Sequence, residues 1–110
     1  MATAELQARV RDEDGSVAIV LTGDIDGRAE AALERAYGEV AASGAVLLDF
    51  SGVSYINSTG IALIVGLLAR ARKNGQTLSA RGLSQHYRQI FEITRLSDFM
   101  TIVDDEEDKA

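Results

Sequence analysis

The chain has 110 residues, of which 46% are hydrophobic and 25% are charged, and its formal net charge is −6. This length and composition are typical of one globular domain that buries a single hydrophobic core. The sequence contains no cysteine and one histidine, which excludes disulfides, thiol catalysis and multi-histidine metal sites, and its acidic balance argues against binding to nucleic acid.

Two strands joined as a hairpin are predicted at the start of the chain. Residues 6–11 alternate weakly between apolar and polar side chains, and residues 17–22 form an apolar run rich in β-branched residues. The intervening residues 12–15 have the composition of a turn. We expect the second strand to lie in the centre of a sheet and to be closed by Gly23 and Asp24.

A helix, a strand and a second helix are predicted next. Asp26 precedes a segment with apolar residues at helical spacing, so we expect Asp26 to cap a helix that Gly44 stops. Residues 45–50 are apolar almost throughout, which predicts a strand buried on both faces. We expect residues 51–57 to form a connecting loop and residues 58–73 to form the second helix.

A strand, a short helix and a final strand complete the predicted domain. Residues 76–80 alternate between apolar and polar side chains, as a fourth strand does. Ser84 precedes an amphipathic helix over residues 85–94 and is placed to cap it, with Tyr87 as one of the apolar contacts of that helix. The last strand is expected over residues 99–103.

The predicted order β-β-α-β-α-β-α-β indicates an α/β fold, with a mixed sheet of four to five strands packed against three to four helices. One domain occupies residues 1–103, and the like-charge run within residues 104–110 predicts a disordered acidic tail. The longest apolar run, residues 61–69, is far shorter than the ~20 residues that a membrane span needs, and no signal peptide is recognisable. We therefore expect a cytoplasmic protein.

Three polar residues, Asn57, Ser58 and Thr59, stand with Gly60 between the third strand and the apolar part of the second helix. Either Asn57 or Ser58 falls at the helix N-cap, where a side-chain oxygen accepts a backbone N–H. A phosphate on Ser58 would lie where unpaired N–H groups and the positive end of the helix dipole stabilise an anion. Phosphorylation there would place nearly two negative charges under a docked partner without rearranging the fold.

The two sides of the second helix differ in composition when residues are spaced by 100°. The side expected to face the sheet comprises Ile61, Ile64, Val65 and Leu68. The outer side comprises Thr59, Ala62, Leu63, Gly66, Arg70 and Lys73. Small residues, one large apolar side chain and basic groups on the outer side predict either a docking surface with Ser58 at its tip or a face crowded by neighbouring loops.

The segments VAIVLTGDID, VLLDFSGVSYINSTGIALIVGLLARARKNGQTL and LSQHYRQIFEITRLSDFMTI together resemble the STAS domain of bacterial anti-sigma factor antagonists, over residues 17–103. The strongest motif is residues 53–60, which match the family pattern Val-Ser-Tyr/Phe-hydrophobic-Asp-Ser-Ser/Thr-Gly except at Asn57, where the family usually has Asp. Residues 23–26 resemble its Gly-acidic-hydrophobic-Asp motif, and Leu83-Ser84 resembles the start of its third helix.

The resemblance implies a phosphorylation switch. In the family, the unmodified antagonist binds an anti-sigma factor that is also a serine kinase of the histidine-kinase-like ATPase fold, and so frees a sigma factor. The kinase phosphorylates the serine that matches Ser58, the phosphoprotein dissociates, and a PP2C-type phosphatase restores it. The ATP and metal chemistry belongs to these partners, so we expect no cofactor and no catalytic residues in this chain.

Partner contacts are expected around Ser58. Asp24 and Asp26 match acidic positions of the family, although we favour a capping role for Asp26. Asn57 in place of Asp removes a charge beside the phosphorylated oxygen, which lowers repulsion with a phosphate but also removes a group that could orient the hydroxyl for the kinase. The predicted partner-binding residues are Asp24, Asp26, Asn57, Thr59, Gly60, Leu63, Gly66 and Arg70. Whether Thr59 is also modified stays open.

An enzyme is not expected. A serine hydrolase would need a base near Ser58, but the only histidine, His86, lies in a short amphipathic helix, and the Gly-x-Ser-x-Gly motif fails at Ile56. No phosphate-binding loop is present, since neither Gly60 nor Gly66 is followed by Lys-Ser/Thr. STAS domains also act as scaffold subunits of stress-signalling complexes and as regulatory parts of lipid or anion transporters. Such a protein would keep the docking face without needing a phosphorylatable serine.

Overall fold

A mixed sheet of five strands organises the fold. The computed structural model describes residues 4–13 and 16–103. The elements in chain order are β1 (Gln7–Glu13), β2 (Ser16–Ile25), α1 (Glu30–Val40), β3 (Ala45–Ile56), α2 (Ser58–Lys73), β4 (Thr77–Arg81), α3 (Gln85–Ile93) and β5 (Thr101–Ile102). Short 3-10 turns precede α1 at Gly27–Ala29 and β5 at Leu96–Asp98. The α/β prediction, with its element order and mixed sheet, is confirmed.

The strands lie side by side in the order in which the chain makes them, from β1 to β5. The hairpin of β1 and β2 is antiparallel, as predicted, and β2, β3, β4 and β5 are parallel. Each parallel step is a crossover through one helix and moves in the same direction. Because such crossovers are right-handed, α1, α2 and α3 all cover one face of the sheet. The opposite face, which no described helix covers, is called the helix-free face below.

The core lies between the helices and the covered face of the sheet. Alternate residues of β3 point toward the helices, and the ring of Phe50 meets the ring of Phe91 in α3 edge to face at a centroid distance of 5.8 Å. The fully buried side chains with the largest volume include Ile19, Leu21, Tyr37, Val40, Val46, Leu48, Ile64 and Phe91. Each such apolar side chain contributes about 1.5–3 kcal/mol by leaving water, so this layer holds the helices in place.

An ion-pair network spans the helix-free face. Asp49 alternates with the core residues of β3 and is only 7% exposed. Its Oδ1 accepts hydrogen bonds from the Ser51 N–H at 2.9 Å and the Ser51 hydroxyl at 2.6 Å, and its Oδ2 lies 2.9 Å from Nη2 of Arg81. The same Nη2 lies 3.2 Å from a carboxylate oxygen of Glu13 in β1. The network therefore joins three strands, β1, β3 and β4, through their side chains.

The ionisation of Asp49 follows from these contacts. Burial alone would raise the pKa of Asp49, but the hydrogen bonds from Ser51 and the Arg81 guanidinium outweigh it and hold the pKa of this carboxyl below its ordinary value of 3.8. Hydrogen bonds to Glu13 and Asp49 raise the pKa of Arg81. The network is thus fully charged at neutral pH.

The main difference from the predicted fold concerns β2 and β3. Gly23 and Asp24 do not close β2, and residues 51–57 are not a loop, because the two strands run on together to Ile25 and Ile56. Gly23 has a φ of 109°, which favours glycine, and the pairing register shifts between Val20 and Thr22 and again between Gly23 and Asp24. The two strands therefore continue through local irregularities in their pairing. Strand β3 therefore delivers its last residues directly to the start of α2.

Other element ends differ by a few residues. Strand β1 runs on to Glu13, helix α1 ends at Val40 instead of reaching Gly44, and β5 is a two-residue strand because the 3-10 turn at Leu96–Asp98 occupies the approach to it. The centre of the predicted turn at residues 14–15 and the predicted acidic tail at residues 104–110 lie outside the described residues. Among the residues that the structure describes, no helix has the length and apolar character of a membrane span.

The network on the helix-free face predicts an acid response. A carboxyl whose pKa is lowered in the folded state stabilises that state above its unfolded pKa, and the stabilisation is lost as the pH falls through the folded pKa. We expect Asp49→Asn to lower the free energy of unfolding by about 1–3 kcal/mol at pH 7, because Arg81 loses a charged partner. We also expect the variant to lose less stability than the wild type when the pH falls from 7 to below 3.8, the ordinary pKa of an aspartate carboxyl. Urea unfolding at both pH values measures this. Equal losses would contradict the role assigned to Asp49.

Candidate functional site

The candidate site lies at the carboxyl edge of the parallel strands, where β3 ends and α2 begins. Asn57 is the N-cap of α2, and its Oδ1 accepts the backbone N–H of Gly60 at 2.8 Å. The Asn57 N–H donates to the carbonyl of Ile25 at 3.2 Å, and the Asn57 carbonyl accepts from Ile61 at 2.9 Å. Of the two residues that the sequence left open as the cap, it is Asn57. Ser58 is the first residue of α2 and is exposed.

Gly60 sets how closely α2 approaches the sheet. A Cβ atom on Gly60 would lie 2.0 Å from the carbonyl oxygen of Ile25 and 2.7 Å from its carbonyl carbon. Both atoms belong to the backbone of β2, which cannot move aside as a side chain could. The first turn of α2 therefore rests on the end of β2, and only glycine fits there.

This contact also sets the rotation of α2, and it differs from the predicted one. The buried residues of the helix are Gly60, Ile64, Leu67, Leu68 and Ala71. Val65, predicted to face the sheet, is 45% exposed, and Ile61 is only partly buried. Because the helix rests on Gly60, the side of the helix that faces the core is the one that carries Gly60 and the residues three and four positions further along, such as Ile64 and Leu67. Val65 lies outside this side and faces solvent.

An exposed row of α2 carries Ser58. It consists of Ser58, Ala62, Val65 and Ala69, which follow one another at spacings of three and four residues and are all exposed. The row has small and apolar side chains below the serine hydroxyl. Beside it lies a shallow groove of about 340 Å³, lined by Val65, Leu68, Ala69, Arg72, Thr94, Leu96 and Phe99.

The predicted partner-binding residues of α2 lie in different environments. Thr59 and Gly66 are exposed, whereas Gly60 is buried. Leu63 is partly buried and packs against the core, and Arg70 pairs with Glu34 of α1 while its guanidinium lies 4.6 Å from the ring centroid of Tyr37. Thr59 and Gly66 are therefore accessible at the surface, whereas Leu63 and Arg70 make contacts within the chain. A partner role for all of these residues stays a prediction.

The two acidic residues of β2 and its following turn take different roles. Asp24 is buried, and its backbone N–H donates to the carbonyl of Ala4 at 2.9 Å. Asp26 caps the 3-10 turn that leads into α1, since its Oδ1 accepts the N–H of Arg28 at 2.9 Å, which confirms the capping role. The Arg28 side chain, with Nη2 at 2.9 Å from Oδ2, and then the Arg28 N–H hold the pKa of Asp26 below its ordinary value.

Sequence reasoning missed one residue of the site. The hydroxyl of Tyr87 in α3 accepts the backbone N–H of Ile56 at 2.9 Å, immediately before Asn57. The helical spacing of the sequence indicated Tyr87 only as an apolar contact, and no local pattern shows that its hydroxyl reaches the end of β3. Ser84 caps α3 as predicted, by accepting the Tyr87 N–H at 3.2 Å.

This arrangement offers a hydroxyl group that can accept an added anionic group and an exposed helix surface that can contact a partner. It presents an exposed serine hydroxyl at the amino end of a helix, where an added anion is stabilised. The ring of His86 packs on Tyr87 in α3, with a centroid distance of 4.8 Å. Within the described part of the chain, no group of three or more His, Cys, Asp or Glu residues is placed to hold a metal ion.

Comparison with known proteins gives concordant results. Residues 8–104 match a family model described as "Mlab, STAS domain". The anti-sigma-B factor antagonist of Bacillus subtilis is 30% identical over 94 residues, which cover 84% of this chain and 86% of that protein. The crystal structure of an anti-sigma factor antagonist from Mycobacterium paratuberculosis superposes with a TM-score of 0.73 at 25% identity and covers 94% of this chain and 90% of that one. The phosphorylated form of the Bacillus cell fate determinant SpoIIAA shares the fold, with a TM-score of 0.68 at 19% identity and coverage of 91% and 94%.

The contact between Gly60 and Ile25 predicts a sharp difference between two glycines of α2. Gly60→Ala should lower the free energy of unfolding by about 1–3 kcal/mol or prevent folding, because the added methyl group meets backbone. Gly66→Ala is the matched control, since nothing lies within 4 Å of its added Cβ, and it should raise the free energy of unfolding by about 0.5–1 kcal/mol. Chemical denaturation of both variants measures this, and equal effects would show that α2 does not rest on Gly60.

The identity of the cap predicts which polar side chain stabilises α2. Asn57→Ala should cost about 1 kcal/mol of stability, because the Gly60 N–H loses its acceptor. Asn57→Asp should keep that stability, since Asn and Asp cap helices about equally well, and Ser58→Ala should change it little. Thermal unfolding of the three variants separates these cases. A larger loss for Ser58→Ala than for Asn57→Ala would contradict the assignment of the cap.

Proposed function

The chain belongs to the STAS domain family, and we propose that it is an anti-sigma factor antagonist that phosphorylation of Ser58 switches off. The unmodified protein binds an anti-sigma factor that is also a serine kinase of the histidine-kinase-like ATPase fold, and so frees a sigma factor. The kinase transfers the γ-phosphoryl group of ATP to the Ser58 oxygen, releasing ADP and the hydroxyl proton. A PP2C-type phosphatase hydrolyses the phosphoester with water and restores the antagonist. The chain is a regulator and not an enzyme.

The observation that carries this proposal is the division of roles between Asn57 and Ser58. Asn57 supplies the cap of α2, so the fold does not need the Ser58 hydroxyl for that purpose. Ser58 is nevertheless exposed at the first position of the helix, where a kinase can reach it. A residue that is accessible and dispensable for the helix cap is suited to reversible modification.

The environment of Ser58 favours a phosphate in the free protein and disfavours it under a partner. In the free protein, the first-turn N–H groups and the helix dipole stabilise the dianion, and water solvates its outer oxygens. The apolar row of Ala62, Val65 and Ala69 below it suits a partner that packs closely along α2. Such a partner would have to bury the phosphate away from water, which is costly without a matching cation.

Asn57 adjusts this switch. An Asp at the same position would place a carboxylate beside the phosphorylated oxygen, whereas the amide of Asn57 adds no charge. We therefore expect less electrostatic repulsion around the phosphate in this chain than in a relative with Asp at the same position. The same substitution removes a carboxylate that could orient the hydroxyl toward the kinase, so Asn57→Asp tests whether phosphorylation becomes faster.

A second candidate function is favoured by the family model itself, whose description begins with Mlab. In this alternative, the chain is a non-switching STAS subunit, either a scaffold of a stress-signalling complex or a regulatory subunit of a lipid or anion transporter. The exposed row of α2 would still dock a partner. The two functions differ in whether a change of charge at Ser58 matters.

Charge at Ser58 is expected to control partner binding. Ser58→Asp should weaken binding to the anti-sigma factor encoded nearest to the chain's gene by at least about tenfold, or about 1.4 kcal/mol, while Ser58→Ala should bind like the unmodified wild type. Isothermal titration calorimetry measures both affinities. Thr77→Asp is the matched control, because it adds the same charge at an exposed residue at the start of β4, which is the amino end of the parallel strands and the end away from Ser58.

The outcomes separate the two functions. Equal affinities of Ser58→Asp and wild type for the anti-sigma factor would overturn the switch. Mass spectrometry of the protein from growing and from stressed cells gives a second readout, because the switch requires phosphate on Ser58 that changes with condition, and the same spectra show whether Thr59 is modified. Binding to a permease–ATPase complex with no phosphate in either condition would support the alternative.

A further inference from the structure

We infer that Tyr87 is a positioning residue for Ser58, because its hydroxyl takes the place of a missing strand beside the end of β3. The inference rests on the proposed function in one respect, namely that Ser58 is the residue that is phosphorylated. The relevant atoms are the Ile56 N–H and the Tyr87 hydroxyl, which are 2.9 Å apart.

Among the strands that the structure describes, only β2 pairs with the end of β3. Its pairing with β4 ends at Asp49 and Arg81, seven residues before Ile56. Its pairing with β2 continues to Ile25 and Ile56, and the Asn57 N–H then donates to the Ile25 carbonyl. Because N–H groups of successive strand residues point to opposite sides, the Ile56 N–H points away from β2, toward the side that β4 no longer reaches.

Tyr87 supplies the acceptor on that side. Ile56 is 6% exposed, so its N–H has little access to water, and a buried N–H without an acceptor is unfavourable. The Tyr87 side chain is itself held in position, because Ser84 caps its N–H and Phe91 anchors the same helix on Phe50. Helix α3 thus presents a fixed hydroxyl to the side of the strand end that has no strand partner.

The support reaches Ser58 through two adjacent residues. Ile56 is followed by Asn57, whose side chain and carbonyl fix the first turn of α2, and then by Ser58. Three elements therefore hold the junction: β2 through the Ile25 carbonyl, α2 through the Gly60 N–H, and α3 through the Tyr87 hydroxyl. Without the last of these, only the Ile25 carbonyl and the cap of α2 itself hold the junction, and the orientation of the Ser58 hydroxyl becomes less defined.

A matched control exists in the same molecule. The hydroxyl of Tyr37 also links elements, because it accepts from Nδ2 of Asn74 at 2.9 Å and hydrogen-bonds to the side chain of Gln76. These partners follow the carboxyl end of α2, whereas Ser58 begins the helix. Tyr37→Phe therefore removes a hydrogen-bonded tyrosine hydroxyl at the far end of α2, whereas Tyr87→Phe removes one at the junction.

The test uses a thiol at the position of the serine oxygen. The chain has no cysteine, so Ser58→Cys introduces a single thiol at the first position of α2. A helix N-terminus lowers the pKa of a cysteine there, because its N–H groups stabilise the thiolate, and the rate of reaction with 5,5′-dithiobis-(2-nitrobenzoic acid) follows the thiolate fraction. The pH dependence of that rate reports how well the first turn is ordered around position 58.

We expect Tyr87→Phe in the Ser58→Cys background to raise the pKa of the thiol and to slow its reaction at pH 7 about threefold. Asn57→Ala, which removes the cap, should act in the same direction. Tyr37→Phe should leave the thiol unchanged, even where it lowers the unfolding temperature as much as Tyr87→Phe does. This readout separates positioning from a general loss of stability.

An unchanged thiol pKa and rate in Tyr87→Phe, or an equal change in Tyr37→Phe, would overturn the inference. Because the thiol measurement needs no partner, its failure is distinct from failure of the proposed function, which the binding of Ser58→Asp decides. Where the kinase partner is in hand, Tyr87→Phe with Ser58 intact should be phosphorylated about tenfold more slowly than Tyr37→Phe, since misplacement of a reacting group is costly to rate.

Discussion

The packing of a helix directly on the backbone of a strand is the contact on which the candidate site depends. With no side chain at Gly60, α2 lies against the Ile25 carbonyl. This contact determines the distance of the helix from the sheet and its rotation about its own axis. The rotation decides that Ile64 enters the core and that Val65 faces outward in line with Ser58. The serine is therefore exposed because of a contact that it does not itself make.

The charged groups of the fold would affect a phosphate on Ser58 to different extents. The cap at Asn57 is neutral, and the charge of Asp26 is paired with Arg28. The larger ion-pair network, around Asp49 and Arg81, lies on the helix-free face. Asp49 lies seven residues before the end of β3, roughly 20 Å along the strand, so a phosphate on Ser58 would be sensed chiefly by groups at the carboxyl edge of the sheet.

Local signals in the sequence were sufficient for most elements and for the position of the serine. Helix α2 has a polar cap at one end and a glycine after the other, so its extent over about residues 58–73 could be predicted, with the cap left open between two residues. The extension of β3 to Ile56 could not, because it depends on pairing with β2 across a glycine irregularity, which is a contact between distant segments. The choice between Asn57 and Ser58 as the cap depends on a backbone geometry that either residue could adopt. Tyr87 was missed for the same reason as the strand extension, since its hydroxyl meets a backbone group 31 residues away.

The agreement between strand order and chain order has a consequence for how the protein is made. Each parallel strand docks on the edge formed by the one synthesised before it, so no strand has to insert between two that are already paired. The sheet can grow in one direction as the chain leaves the ribosome, with each helix closing over the newest pair. The junction before Ser58 is complete only when Tyr87 has emerged. A nascent chain that stops short of α3 would expose the serine before its support is in place.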